Sequence, residues 1–320
     1  AQITPDGTLS TTVTSSDRLN VSIDGGNQSG ANLFHSFEEF SIPTAGSATF
    51  NNAMDIDNII SRVTGTMPSI IDGLLQAGGN AHVFLLNPNG IMVGPHAELN
   101  IGGSFIATTA DRFLFDDGTF FSASDVQPAP LLSIRTPTRL QMGQTSSPIE
   151  VQGRGHSLVQ TLDYAQVQSS AESSLGVQVS SGEMLALIGS GITLDGALLT
   201  APGGHVELGS FSTGRVYFDS DWRFDYQEVT DFQDIRLAQR SLVDGSDRQA
   251  GSVHLRGATV ALESGATILN QQTGTRKGGN IQLQASDAIL IHGTAPGGTP
   301  RTQVRTETSG SGMCSAIRIS

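Results

Sequence analysis

Three observations predict an all-β protein built as a right-handed parallel β-helix. A short pattern recurs along the chain: Gly, any residue, apolar, any residue, then Leu or Ala. It stands at Gly103-Ser104-Phe105-Ile106-Ala107, Gly182-Glu183-Met184-Leu185-Ala186 and Gly204-His205-Val206-Glu207-Leu208, and again at Gly251-Ser252-Val253-His254-Leu255 and Gly279-Asn280-Ile281-Gln282-Leu283. From Gly182 to Gly204 is 22 residues and from Gly251 to Gly279 is 28, periods that mark solenoids. Gly at 38 of 320 residues, with 15% charged residues and 6% aromatics, suits many short strands joined by turns and argues against a helical bundle.

Each repeat carries further apolar runs, as in Gly191-Ile192-Thr193-Leu194-Asp195-Gly196, Thr259-Val260-Ala261-Leu262 and Ala288-Ile289-Leu290-Ile291. Alternation such as Val253 and Leu255 against His254 and Arg256 gives one dry and one wet face. Such strands bury their apolar side only against the units above and below, which makes a one-dimensional stack. Parallel crossovers are nearly always right-handed. The 47 residues from Gly204 to Gly251 fit two units, or one with an insertion.

Taken in order, Leu9–Val13 and Leu19–Ile23 form a β cap that protects an otherwise open sheet edge. Residues 1–120 are expected to be the cap and the first coils, and 121–320 the continuing coils of the same solenoid. Two stretches break the rhythm. Residues 116–150 contain Pro128, Pro130, Pro137 and Pro148 and are expected to leave the helix as an irregular excursion or hairpin. Residues 215–249 hold Tyr217, Phe218, Trp222, Phe224, Tyr226 and Phe232 and are expected to fold an aromatic cluster back onto the helix side. Ala316–Ser320 reads as the opening strand of another coil.

Residues 84–94 are the most specific stretch. Two apolar runs, Phe84-Leu85-Leu86 and Ile91-Met92-Val93, flank Asn87-Pro88-Asn89-Gly90. Pro88 fixes φ near −65°, Asn87 can bond its own backbone two residues on, and Asn89 and Gly90 tolerate positive φ. The expectation is a buried strand, a sharp turn and a second buried strand, with both Asn89 and Gly90 at positive φ. Asn87 is expected to close only its own turn.

The neighbours of that turn carry a resemblance. Asn32-Leu33-Phe34-His35-Ser36-Phe37-Glu38-Glu39-Phe40, Phe50-Asn51-Asn52-Ala53, Ile59-Ile60-Ser61-Arg62-Val63-Thr64-Gly65, Ile71-Asp72-Gly73 and Leu99-Asn100-Ile101-Gly102-Gly103-Ser104-Phe105 surround it in order. Together these blocks resemble the N-terminal two-partner secretion domain of filamentous-haemagglutinin-type exoproteins, in a form similar to the cyanobacterial versions. The resemblance is close over residues 1–120 and looser beyond. An Asn-Pro-Asn-Leu turn frequent in that family is absent, so no role tied to it is carried over.

The resemblance implies a targeting domain recognised in the periplasm by the periplasmic domains of a cognate outer-membrane barrel transporter. The exoprotein would be secreted or held at the cell surface, and folding of this domain outside the cell would nucleate the rest of the helix. It implies Asn32, Phe34, His35, Phe37, Asn51, Asn52, Asn87, Pro88, Asn89 and Gly90 as the recognition and fold-nucleating motif. A start at Ala1-Gln2-Ile3 would fit a mature terminus left by signal-peptide removal, or a cut chain.

Other chemistries find little in the residues. A formal net charge of −13 disfavours nucleic acid as a partner. The lone Cys314 permits no intrachain disulfide and is expected to be a small buried thiol. No apolar stretch is long enough to span a bilayer as a helix. Asp55 with Asp57, and Asp219 with Asp221, would share strand faces, yet neither pair has a base beside it, so they are expected to be solvated turn carboxylates and no catalytic residue is assigned. The seven histidines show no His-x-x-x-His spacing, and His205, His254 and His292 are expected on the surface. Asp116-Asp117-Gly118 is a fragment of a calcium loop without its further ligands. The expected protein is therefore a monomer without metal, cofactor or enzyme activity. The rival readings are a β-helical carbohydrate-active enzyme, favoured by carboxylates converging in a cleft, and a stand-alone glycan-binding adhesin, favoured by an exposed aromatic platform at Trp222.

Overall fold

The computed structural model describes residues 2–126, 130–160, 165–167, 176–313 and 315–320, and the expectations for Pro128 and Cys314 lie outside them. All regular elements among the described residues are strands. They wind into a parallel β-helix with three faces.

The first face stacks strands Asn32–Ser41, Asn58–Val63, His82–Leu86, Phe105–Thr108, Met184–Gly189, His205–Phe218, Ser252–Leu262, Ile281–Ile291 and Ile317–Ile319, each parallel to the next. Register puts Leu33, Ile59, Val83, Phe105, Leu185, Val206, Val253 and Ile281 in one column inside the coil. The expected core residues Val206, Leu208, Val253, Leu255, Ile281 and Leu283 are all fully buried and stacked in this way. The second face carries the column Ile91, Ile149, Ile192, Ile235, Val260 and Ile289. The third closes each turn, with Val177, Leu199, Val243, Ile268 and Val304 in line.

The repeated glycine has a steric cause. A Cβ on Gly251 would lie 2.1 Å from the Gly204 carbonyl oxygen, and one on Gly204 would lie 1.9 Å from that of Glu183. Coils therefore approach backbone to backbone at this corner, and only glycine leaves room.

The cap is built as expected. Gln2–Pro5 runs antiparallel to Asn32–Ser41, and Thr11–Thr14 pairs antiparallel with Asn20–Gly25, whose other edge takes Ser47–Phe50 in parallel.

One open alternative is decided and two expectations change in detail. His205 pairs directly with Ser252, so the 47-residue spacing is one coil with an insertion. The aromatic excursion ends earlier than residue 249, because Ile235–Ala238 and Leu242–Asp244 are back in the stack. The two excursions are also not separate. Arg112–Leu114 pairs with Phe120–Ser122 and Arg139–Gln141, Arg139–Gln141 pairs with the far end of His205–Phe218, and that strand pairs with Phe224–Asp225, making one antiparallel extra-helical sheet.

That sheet explains why the outer side of the first face is dry, where alternation alone predicts a wet one. Phe34, Ile60, Phe84, Ile106 and Ala186 point out of the coil yet are buried beneath Phe113, Phe115, Phe121, Leu140, Val216 and Phe218. The molecule thus has one core inside the coil and a second between the coil and the sheet lying on it.

Candidate functional site: an inter-coil clamp in the first coils

Asn87-Pro88-Asn89-Gly90 forms a turn closed by Gly90 N–H donating to the Asn87 carbonyl at 3.2 Å. Asn at the first position, Pro at the second and Gly at the fourth are the residues a type I turn favours. Gly90 takes φ +116°, whereas Asn89 keeps a negative φ, which corrects the expectation for that residue.

Asn87 does more than close its own turn. Its side chain is fully buried, its Oδ1 accepts from Asn89 N–H at 3.0 Å, and its Nδ2 donates to the Met67 carbonyl at 3.1 Å and to Ser69 Oγ at 3.0 Å. Asn89 Nδ2 donates to the Gly65 carbonyl at 2.7 Å. Ser69 N–H donates to the Gly90 carbonyl, and Ser147 N–H to the Pro88 carbonyl, both at 3.0 Å. The turn therefore clamps the preceding coil at 65–69 and receives the chain returning from the extra-helical sheet at 147–148.

The other motif residues form similar ties. Asn32 Nδ2 donates to the Ser133 and Arg135 carbonyls at 3.0 and 2.6 Å, while its Oδ1 accepts from Asn58 Nδ2 at 2.8 Å. This pins the 133–136 segment onto the first two coils. Asn52 exchanges bonds with Gly78 one coil on, accepting from its N–H at 2.8 Å and donating to its carbonyl at 3.0 Å. Asn51 donates to Asp24 at 2.9 Å and joins the first coil to the cap. Phe34 packs edge-on against Phe121, at 5.1 Å between ring centroids, in the outer core. Phe37 meets Phe40 at 5.1 Å inside the coil. His35 is buried, 3.2 Å from Thr11 Oγ1, and desolvation pulls its pKa down to about 4, so it is neutral.

Sequence reasoning gave no role to Arg62. Its guanidinium is 1% exposed and binds three elements at once. Nε donates to Ser36 Oγ at 2.8 Å, Nη1 to the Ser122 carbonyl at 2.7 Å and Nη2 to Thr8 Oγ1 at 3.1 Å, with the plane over the Phe121 ring at 4.4 Å. Asp6 accepts from Ser36 and Thr64 hydroxyls at 2.6 and 2.8 Å. Burial raises the Asp6 pKa, but hydrogen bonds from Ser36, Thr8 and Thr64 outweigh it and leave it lowered. A single arginine inside an apolar block was the signal available in the sequence.

The remaining candidates stay apart from this site. Asp219 accepts from the N–H groups of Asp221 and Arg223, closing a turn, and Asp221 pairs with Arg223 at 3.0 Å. Asp55 and Asp57 are exposed. Asp117 closes its own turn onto Thr119 and holds Ser133. His205 and His254 point outward as expected but are half-buried rather than on the surface, because both contact Glu207, a carboxylate with no exposed area. Trp222 is half-buried and lies against Phe218, His82 and Phe84, so it is no exposed platform. Among the described residues no three His, Cys, Asp or Glu side chains gather as a metal site would need, and no helix is long and apolar enough to cross a membrane.

A family model described as the TPS secretion domain matches residues 1–255. The chain belongs to this family. A heme/hemopexin-binding protein of Haemophilus influenzae is 40% identical to the TPS domain over 85 residues, which is 24% of this chain and 8% of that protein. The chain therefore matches only a small part of its curated relative. Two solved structures share the fold over its whole length at 15% identity. The HMW1 secretion domain from Haemophilus influenzae superposes with a TM-score of 0.50 and is covered to 99%, and the filamentous hemagglutinin secretion domain superposes with 0.51 and is covered fully. Membership makes the chain a TPS secretion domain.

Proposed function

We propose that this TPS domain carries its export signal in residues 1–120 as an unfolded segment, read in the periplasm by the periplasmic domains of a cognate barrel transporter. The observation that supports this reading is burial. Asn32, Phe34, His35, Phe37 and Asn87 are each at most 1% exposed in the folded domain, so a partner could touch their side chains only before folding. Asn32 and Asn87 then act a second time, together with other residues of the motif. Once outside the cell, Asn32, Asn52, Asn87, Asn89 and Gly90 tie the cap, the first coils and the extra-helical sheet together, and each later coil adds by stacking on a finished one.

Folding draws free energy only on the side where the chain has room to fold, which biases transfer outward. Residues 121–320 continue the solenoid. The domain acts as a monomer, needs no cofactor and performs no catalysis of its own, a reading supported by the dispersal of Asp55, Asp57, Asp219 and Asp221 into separate turns.

The test is export of the 320-residue chain behind a signal peptide in cells with and without the cognate barrel. Export that requires the barrel, and that stops when residues 30–110 are deleted, supports the proposal. Equal export without the barrel, or normal export of the deleted chain, defeats it.

A further inference from the structure

The aromatic excursion leaves a cleft of about 590 Å³ between itself and the outer side of the first face. His205, Glu207, His254, Gln282 and Gln284 form the floor, and Trp222 and Phe224 the wall.

The floor is internally neutralised. The Glu207 carboxylate accepts from His205 Nε2 at 2.8 Å and from the Tyr226 hydroxyl at 2.5 Å, and lies 3.0 Å from His254 Nδ1. Asp221 and Arg223, on the same rim, pair with each other. A charged ligand would find no unmatched counter-charge in this cleft.

What remains to be offered is an apolar ring face and neutral amides. Phe224 is stacked with His205 at 6.3 Å and Phe218 at 5.5 Å, which fixes the ring while leaving it half-exposed. Among the described residues Gln282 has no side-chain hydrogen-bond partner. Asn280 spends its Oδ1 on Ala316 N–H and Gln284 its Oε1 on His254, so both keep their NH2 groups for another acceptor. Gln282 and Gln284 at alternate positions of strand Ile281–Ile291, with Asn280 just before it, face aromatic rings across a cleft of ligand size and match a molecule with one apolar face and several hydroxyls.

We propose that this cleft binds a neutral saccharide, with the CH face of one pyranose ring on Phe224 and its hydroxyls on Gln282, Gln284 and Asn280. The site is independent of the export reading, and its failure would leave that reading untouched.

Trp222 is the single tryptophan of the chain and lines the cleft, so its fluorescence reports occupancy directly. Glucose, galactose, N-acetylglucosamine, maltose and lactose would be titrated, with glucuronate and a Gly-Ser peptide as comparisons. The expected result is a saturable fluorescence change for at least one neutral sugar with a Kd near or below about 10 mM. It should be weakened at least about tenfold by Gln282→Ala, whose melting temperature should match that of the parent chain. Phe224→Ala should abolish the change, with saturation-transfer NMR on the same sugar as a second readout. Silence with all five sugars, equal or tighter binding of glucuronate or the peptide, or binding untouched by Gln282→Ala in a folded variant would each overturn the proposal.

Discussion

Arg62 Nη1 donates to the Ser122 carbonyl at 2.7 Å, tying the second coil to the extra-helical sheet across 60 residues of sequence. The same guanidinium reaches Ser36 in the first coil and Thr8 in the cap. Three separately folded elements thus share one buried cation, with the Asp6 carboxylate close by to offset its charge.

Removing that cation should be among the most damaging single changes in the domain. Arg62→Ala leaves the Ser122 carbonyl and the Ser36 and Thr8 hydroxyl oxygens without the bonds the guanidinium donates, and the half-buried Asp6 carboxylate without its nearby counter-charge. The expected loss is about 3 kcal/mol or more, because breaking a buried charged network strands the groups that remain. Urea denaturation should show a lower midpoint at an unchanged slope, and a midpoint within error of the parent would contradict the clamp.

At the Asn87–Gly90 turn, two substitutions should prove similar in cost. Gly90→Val forces a β-branched residue to φ +116°, at an expected cost of about 2 kcal/mol. Asn87→Ala removes bonds to Met67, Ser69 and Asn89 from a fully buried position, at about 2 kcal/mol as well. Both should reduce transporter-dependent export, whereas Trp222→Ala should leave export nearly intact while loosening the excursion. Export halted by Trp222→Ala and untouched by Gly90→Val would reverse this assignment.

Acid should destabilise the domain through two neutral histidines. Desolvation lowers His35 to about 4, and the same effect lowers His156 to about 4. The unfolded chain binds protons on these rings from about pH 6.5 downward while the folded chain does not, so their stabilisation is complete above that pH and is lost as pH falls toward 4. The expected loss is roughly 3 kcal/mol for each histidine by pH 4. A His35→Gln variant should show a flatter fall in melting temperature between pH 6.5 and 4 than the parent chain.

Alkali should act at the opposite end through His254. Desolvation lowers its pKa, but the Glu207 charge and the hydrogen bonds to Glu207 and Gln284 outweigh that, and the net shift is upward. Tyr226 and Arg256 also face this ring, and Arg256 opposes the shift. A raised histidine pKa contributes stability that is complete below about pH 6.5 and disappears as pH rises through the folded value. His254→Gln should therefore be less stable than the parent at pH 6 and approach it by pH 9. A difference constant across that range would contradict an ionised pair with Glu207.

The coil was legible in the sequence because its determinants are local. Alternation at Val253, Leu255, Ile281 and Leu283 sets which side chains turn inward, and a glycine at 204 and 251 permits the close approach of successive backbones. The Asn87–Gly90 turn was legible for the same reason, since turn type follows from four adjacent residues.

The outer layer was not legible. Alternation marks Phe34, Ile60 and Phe84 as outward-facing but carries nothing about what covers them, and the cover comes from a sheet whose strands lie dozens of residues away.

The repeat, the inward columns and the tight turn follow from the amino-acid order alone, as products of backbone sterics and of side-chain period along a single strand. That Arg62 meets Ser122, that Asn87 reaches Met67 and Ser69 in another coil, and that Glu207 meets His254 from 47 residues away emerges only once the coils stack and the outer sheet folds back. The physical reason is that a polar side chain takes its role from the partner that replaces water on burial, and the stacking and folding-back of distant segments fix that partner.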